Sequence, residues 1–288
     1  MMNFSQLLRN FITLAALMWI PAAAAGGKLL ATGGLTQIEG SAGGGLVPWA
    51  LIGGLGTEDE WGAALAVTGV GLNDYRLQTT AALLAIQDRV ELSVARQDFR
   101  LTGRVLPGNR IRQDVFGLKW RLWGDALGDQ DKWWPQVAVG LQAKRNLDFA
   151  FIPAALGARH GQGVDYYVSA TKVYLGALAG RNLLLNGTLR ATKANQLGLL
   201  GFGGDRSDRY RARFEGSAAV FLTDALALGA EYRAKPDNLS AAREDAWKDL
   251  FVAWLPHKQL ALVAAYARLG EIAGVRQSGW YLSMQVSF

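Results

Sequence analysis

Two histidines, no cysteine and several rows of alternating arginines and lysines are the residues of this 288-residue chain that could carry chemistry. His160 and His257, without a cysteine, do not make a zinc site of ordinary ligand count, and no metal site is expected. A Ser-His-acid arrangement would have to join His160 to Ser169 and Asp165, but no motif marks those residues as a triad. The Gly-rich stretches GFGGD (201–205) and SAGGGL (41–46) lack the strand–loop–helix context and the Lys-Ser/Thr pair of a phosphate loop, and read as turns. The sequence therefore points to neither an enzyme nor a cofactor. What remains is basic: Lys119, Arg121, Lys144, Arg190, Arg209, Arg211, Arg213, Arg233 and Lys235 outnumber Glu91, Glu215 and Glu231 on the same strand faces. In a water-filled pore, such side chains concentrate anions and repel cations. Arg209, Arg211 and Arg213 would repel one another unless acids on neighbouring strands or a passing anion met them. Because these basic residues alternate with apolar ones, nucleic acid is not an expected partner.

That alternation defines the elements that position the charges. In GWYLSMQVSF (279–288), Trp280, Leu282, Met284, Val286 and Phe288 alternate with small or polar residues. Period two means strand, because successive side chains point to opposite faces. The pattern recurs in 115–123, 182–192, 209–220 and 226–235. Strands of about 9–11 residues cross a bilayer when tilted, and fourteen segments qualify: 28–38, 45–55, 61–71, 75–86, 89–100, 111–123, 134–145, 163–175, 180–193, 209–221, 225–235, 245–255, 258–269 and 276–288. Short polar turns such as TEDE (57–60), QDR (87–89), LTDA (222–225) and PHKQ (256–259) alternate with longer connections at 102–110, 146–162, 195–208 and 236–244, with two exceptions, GDALGDQDK (124–132), long for a turn, and LND (72–74), short for a loop. This sorting predicts an all-β fold, a transmembrane antiparallel up-and-down barrel with turns in the periplasm and loops outside. The glycines at 33, 34, 40 and 43–45 weaken the first strand, so the barrel has fourteen strands, or twelve with that segment as a lumen plug. On the outward parity, Trp120, Trp254, Tyr210, Tyr232 and Trp280 form an aromatic girdle at headgroup level. Arg96 breaks the outward face of its strand unless it reaches the outer headgroups.

The N-terminus supplies the export route. Arg9, an apolar run over 11–20, Pro21 and the A-x-A arrangement of Ala23 and Ala25 make residues 1–25 a secretory signal peptide, since the run falls short of the roughly 20 residues of a transmembrane helix. Residues 26–45 form the Gly-rich segment and 46–288 the barrel. A formal net charge of +6, 35 glycines and a chain half hydrophobic suit strands joined by tight turns.

The stretch GGKLLATGGLTQIEGSAGGGLVPWALI (26–52), followed by DRVELS (88–93), resembles an uncharacterised proteobacterial outer-membrane β-barrel family, a domain-of-unknown-function family numbered 3034. The resemblance covers the whole mature chain; its Gly-rich motif is distinctive, while DRVELS occurs in other barrel families too. It implies the outer membrane of a Gram-negative bacterium and no established activity, and it supplies no functional residues. Trp280, Leu282, Met284, Val286 and Phe288 resemble the signal read by the barrel-assembly machinery. Expected partners are thus that machinery, outer-membrane lipids and lipopolysaccharide, and small, anionic solutes. Three functions follow: a porin-like passive channel with a basic, anion-favouring lumen; a plugged uptake channel for hydrophobic compounds; or a structural or interaction protein with a lumen shut by salt bridges.

Overall fold

Twelve amphipathic strands in succession leave each backbone N–H and C=O one way to be satisfied in hydrocarbon, which is lateral pairing closed on itself. The computed structural model, which describes residues 34–103 and 106–288, shows that closure. The wall consists of β3 (Trp61–Leu72), β4 (Tyr75–Ile86), β5 (Val90–Leu101), β6 (Arg110–Trp123), β7 (Gln136–Asn146), β8 (Gln162–Leu178), β9 (Arg181–Thr192), β10 (Arg211–Thr223), β11 (Leu226–Arg233), β12 (Trp247–His257), β13 (Leu260–Ile272) and β14 (Val275–Ser287). Each pairs antiparallel with the next, and β14 returns to β3 in the register Trp280↔Gly71 to Ser287↔Ala64. At the seam, Phe288 donates its N–H to the Ala63 carbonyl at 2.7 Å, and its own carbonyl accepts from Ala63 and Leu55. One end carries both ends of the wall, the short connections 87–89, 179–180, 224–225 and 258–259, and the longer 124–135. The other carries the three longest loops, 147–161, 193–210 and 234–246, with α1 (Ile152–Ala155) in the first, and also the two-residue turns 73–74 and 273–274. By the loop rule the first end is periplasmic and the second faces outward.

The barrel has twelve wall strands, and the expected strands at 28–38 and 45–55 are not among them. Residues 1–33, which include the expected signal peptide, lie outside the described residues. From Gly34 to Gly56 every residue is buried, whereas a wall strand alternates, as β12 does with Leu250, Val252 and Trp254 outward and Phe251, Ala253 and Leu255 inward. The segment lies inside the lumen. It folds as a tight hairpin of β1 (Leu35–Thr36) and β2 (Ala42–Gly43), paired Leu35↔Gly43 and Thr36↔Ala42. Pro48 and the surrounding glycines deny it the unbroken ladder of a wall strand.

Inside the lumen the hairpin finds its partners on the wall. Thr36 and Gly34 bond Gln285, the Ile38 carbonyl accepts from Gln97, Trp49 Nε1 donates to Ser217, and the Pro48 carbonyl accepts from Thr188. From the outer side, loop 193–210 dips into the mouth with a 3-10 turn at Asn195–Gly198. Its Leu197, Gly198 and Leu199 carbonyls accept from Gln113 and Asn146. Below it, Leu199 and Leu200 pack with Leu72, Leu77, Phe99, Trp247 and Leu269 around a cavity of about 10 Å³.

Gly43 is where the hairpin must turn back on itself: a Cβ there would sit 2.8 Å from the Pro48 Cα and 3.0 Å from the Val47 carbonyl carbon, both backbone atoms that cannot step aside. Gly43→Val is expected to unseat the hairpin while the self-paired wall still folds. In a Ser41→Cys background, which carries the chain's only thiol, modification by a membrane-impermeant maleimide added from the periplasmic side should rise, with heat-modifiable migration retained. Unchanged labelling would contradict this packing.

Candidate functional site

Five consecutive wall strands aim one charged residue each at a single level of the lumen: Lys144 on β7, Asp165 on β8, Arg190 on β9, Glu215 on β10 and Arg233 on β11. Their inward parity follows from the strand period, and all five are buried. Arg190 Nε donates to Glu215 Oε1 at 2.6 Å and its NH1 to Gln142. Arg233 Nε lies 3.2 Å from the same Glu215 oxygen, and Lys144 Nζ donates to Asp165 Oδ2 at 2.5 Å. The wall alone thus presents three cations against two carboxylates. The third carboxylate comes from the lumen segment. Glu39, fully buried, accepts from Lys144 and lies 2.7 Å from Arg233 NH2 and 3.9 Å from Arg190 NH2. Burial opposes its ionisation, yet Arg233, Lys144 and Arg190 hold its carboxyl well below the usual carboxylate range.

A second clasp sits where β5 and β6 pair Glu91 with Lys119. Lys119 Nζ donates to the Ala42 and Leu51 carbonyls at 2.8 and 2.9 Å, and Glu91 accepts the N–H groups of Ala42 and Gly53. One ion pair therefore grips both limbs of the segment. On β11, Glu231 accepts the Leu46 N–H at 2.6 Å and the Ser217 hydroxyl at 2.7 Å, while Arg233 NH1 bonds the Leu46 carbonyl.

At the outer mouth, Lys235 and Glu244 hold the inserted loop through Gln196. Lys235 Nζ donates to Gln196 Oε1 at 2.6 Å and stands 3.4 Å from Glu244, which accepts the Gln196 N–H. Burial moves both groups towards neutrality: Lys235 falls to about 8 despite Glu244, and Glu244 rises to about 7 despite Lys235. Arg233 and Asp245 also act on Lys235, and Asp237 on Glu244.

Of the nine basic residues expected to share the lumen, Lys119, Lys144, Arg190 and Arg233 lie in it. They line no water-filled path, because the acids and carbonyls above occupy them. Lys235 belongs to the mouth. Arg121 stands at the periplasmic rim, paired with Asp88 and with Asp125 at 3.6 Å. Arg211 and Arg213 keep the inward parity of Glu215 at the outer end of β10, where Arg211 is exposed, and Arg209 lies exposed in the preceding loop. Trp120, Trp254, Tyr210, Tyr232 and Trp280 are all exposed on the outward side. Leu282 and Val286 keep that parity, whereas Met284 on the same face is covered. His160 bonds Asp208 at 3.0 Å, Ser169 bonds Thr188 and Asp165 bonds Lys144, so these residues are not brought together. Among the described residues no group of three or more metal-ligating side chains is assembled. Glu39 and Glu244 escaped the sequence reading. A signal for Glu39 existed, since it is the only acid between Gly26 and Gly56.

A closed antiparallel barrel with an apolar, aromatic-fringed outer face and its three longest loops at one end is an outer-membrane barrel of porin-like fold. The chain belongs to the family described as "Protein of unknown function (DUF3034)", whose profile matches residues 32–285. Among solved structures, the NanC porin superposes with a TM-score of 0.51 at 10% identity, over 77% of this chain and 98% of that one. The KdgM porin gives 0.49 at 7% identity, over 78% and 99%. The COG4313 outer membrane channel from Pseudomonas putida F1 gives 0.45 at 9% identity, over 84% and 96%. No match was found among curated proteins.

Two outcomes follow from this geometry. Glu39→Ala leaves Lys144, Arg190 and Arg233 short of a carboxylate. The folded protein should lose about 3–5 kcal/mol, the range for breaking a buried ion pair, seen as a lower urea midpoint; adding Lys144→Met should restore part of it. The outer latch should hold least firmly near pH 7–8. Closed, Glu244 keeps a proton up to about 7 that an opened latch releases near 4.5, so closure weakens as pH rises through 7. Closed, Lys235 is neutral above about 8 whereas an opened latch stays charged to 10.5, so closure strengthens again above 8. The protection factor of the Gln196 amide, corrected for intrinsic exchange, should pass through a minimum there, and Glu244→Gln should abolish its acid-side rise.

Proposed function

We propose that this protein is a gated, porin-like channel of the outer membrane, in which the segment 34–56 is the plug and small anions are the favoured solutes. The observation that carries this reading is Glu39 seated among Lys144, Arg190 and Arg233. The plug brings the negative charge that the wall lacks. When the plug withdraws, the wall is left with more cations than acids at that level, and a solute anion takes the place of the Glu39 carboxylate. Arg211 and Arg213 extend the same preference towards the outer mouth. The apolar cluster beneath the loop, around Phe99, Trp247 and Leu269, favours as a second reading the uptake of hydrophobic compounds, which would meet oil-like surface before charge.

The test is single-channel recording on the mature chain refolded into planar bilayers, with the reversal potential taken in a KCl gradient. Wild-type protein should be closed most of the time. Glu39→Ala should raise the frequency of conducting steps about tenfold or more, by the loss of a buried ion pair, and those steps should be anion-selective, less so with Arg211→Glu. Cation-selective steps would overturn the anion path. Folded, heat-modifiable protein that conducts in neither form would instead make the barrel a structural component of the membrane.

A further inference from the structure

Among the described residues, two buried acids of the interior lack the cation that all the others have. Glu39, Glu91, Asp165, Glu215 and Glu244 each have a lysine or arginine nitrogen within 3.4 Å. Glu231 on β11 and Asp249 on β12 have none. They stand directly opposite each other in the ladder and both point inward, Glu231 4% and Asp249 5% exposed. The surroundings of Asp249 explain why nothing meets it. Its inward neighbours along β12 are Trp247 and Phe251, and Ala267 stands opposite it on β13. Neither of its carboxylate oxygens has a hydrogen-bond partner among the described residues. Glu231, by contrast, accepts the Leu46 N–H at 2.6 Å and the Ser217 hydroxyl at 2.7 Å, one on each oxygen, and each oxygen keeps a lone pair to spare. Gly44 and Gly45 of the lumen segment face this carboxylate. A Cβ on Gly44 would collide with Glu231 Oε1, and one on Gly45 would lie 3.3 Å from Glu231 Oε2 and 3.5 Å from the Tyr281 hydroxyl oxygen. The two glycines keep clear a corner bordered by Glu231 and Tyr281, with Asp249 next to Glu231 across the ladder.

Like charges directly opposite each other destabilise a sheet, and each of these carboxylates also bears the penalty of leaving water. One proton shared between them leaves a negative charge in the pair; one divalent cation leaves none. The ligand atoms on offer are hard oxygens: both of Asp249, the spare lone pairs of Glu231, and the Tyr281 hydroxyl. Calcium suits such a set, because it takes carboxylates through one oxygen or two in irregular geometry. Magnesium gives up its water reluctantly, and zinc prefers nitrogen and sulfur. We propose that Asp249 and Glu231 bind a calcium ion inside the barrel, Asp249 through oxygens that serve nothing else and Glu231 through the carboxylate that also holds Leu46. The ion thereby steadies the lumen segment at Leu46 by relieving the repulsion behind its acceptor. This site is distinct from the Glu39 cluster and does not depend on whether the barrel conducts.

Equilibrium dialysis against radiocalcium tests it, on mature protein refolded in neutral detergent without lipopolysaccharide and stripped of metal with a chelator. Wild type should take up about one calcium ion per barrel, the charge that two carboxylates balance. Asp249→Asn, which keeps the side chain's shape, should bind it more weakly by at least the roughly tenfold that loss of an outer-shell partner costs, and so should Glu231→Gln. Glu58→Gln, in the exposed 57–60 turn, should bind like wild type. Calcium should also raise the urea midpoint of wild type and leave that of Asp249→Asn unmoved. Wild type that binds no more calcium than Asp249→Asn would overturn the proposal. So would a protonated-carboxyl infrared band that persists with calcium present and vanishes in Asp249→Asn, since a proton and not an ion would then answer the pair. Heat-modifiable migration identifies folded samples; should Asp249→Asn fail to fold, Glu231→Gln carries the comparison with the same readouts.

Discussion

A charge taken out of water must meet its opposite, and this constraint governs the interior of the barrel. Lys144, Arg190 and Arg233 are buried on three strands of one wall, and isolated cations in such surroundings carry a desolvation penalty of several kcal/mol each. Asp165 and Glu215 answer only part of it. The remainder falls to Glu39, a residue that belongs to no wall strand and reaches its place only because the chain before β3 runs up into the lumen. The position of the plug, the turn at Gly43 and the grip of Lys119 and Glu91 on both of its limbs all serve to deliver that one carboxylate.

The wall and the lumen segment are held by different kinds of interaction, and the proposed gating rests on that difference. The wall's backbone groups are paired strand to strand around the full circle, so its backbone hydrogen bonding owes nothing to what fills it. The plug has a short hairpin and a few turn hydrogen bonds of its own, such as Ile38 N–H to the Gly45 carbonyl and Trp49 N–H to the Ala42 carbonyl, and is tied to the wall by side chains such as Gln97, Thr188, Gln285 and Lys119. Water can replace every one of those contacts. It replaces the Glu39 ion pairs less easily, because the wall cations then need another anion.

The wall was legible in the sequence because period two is a local signal that two neighbours and their parity suffice to reveal. Leu250, Val252 and Trp254 sit outward as their spacing requires, and so do Trp120 and Trp280. The plug was only half legible. Its glycines argued against a strand, but an apolar stretch such as LVPWALI (46–52) has the same local composition in a wall as in a lumen. What separates the two is that residues 46–52 are covered on all sides, a tertiary fact. The partners of the lumen cations were hidden for the same reason: Glu39 and Lys144 are 105 positions apart, and no spacing rule joins them. Parity showed that Lys119 and Arg190 point inward and could not show that plug carbonyls and acids await them.

The mouth and the middle of the lumen then divide the work of closure in a way that follows from their chemistry. Beneath the inserted loop the contacts are largely apolar, between Leu199, Phe99, Trp247 and Leu269, and such contacts discriminate little among partners that exclude water. Lys235 and Glu244 fix the loop's position there, with Lys235 also 5.0 Å from the ring centre of Trp247. At the plug the contacts are ionic and directional, and an occupant that replaces Glu39 must present an anion to the same guanidinium and ammonium groups. A molecule that only dissolves in apolar surface can loosen the outer seal but leaves the inner one shut, because it offers Arg233 and Lys144 nothing in exchange. On the proposed anion path, an anion small enough to pass the loop would supply the missing charge directly. On the proposed reading, selection by charge comes at the second barrier, after a permissive first.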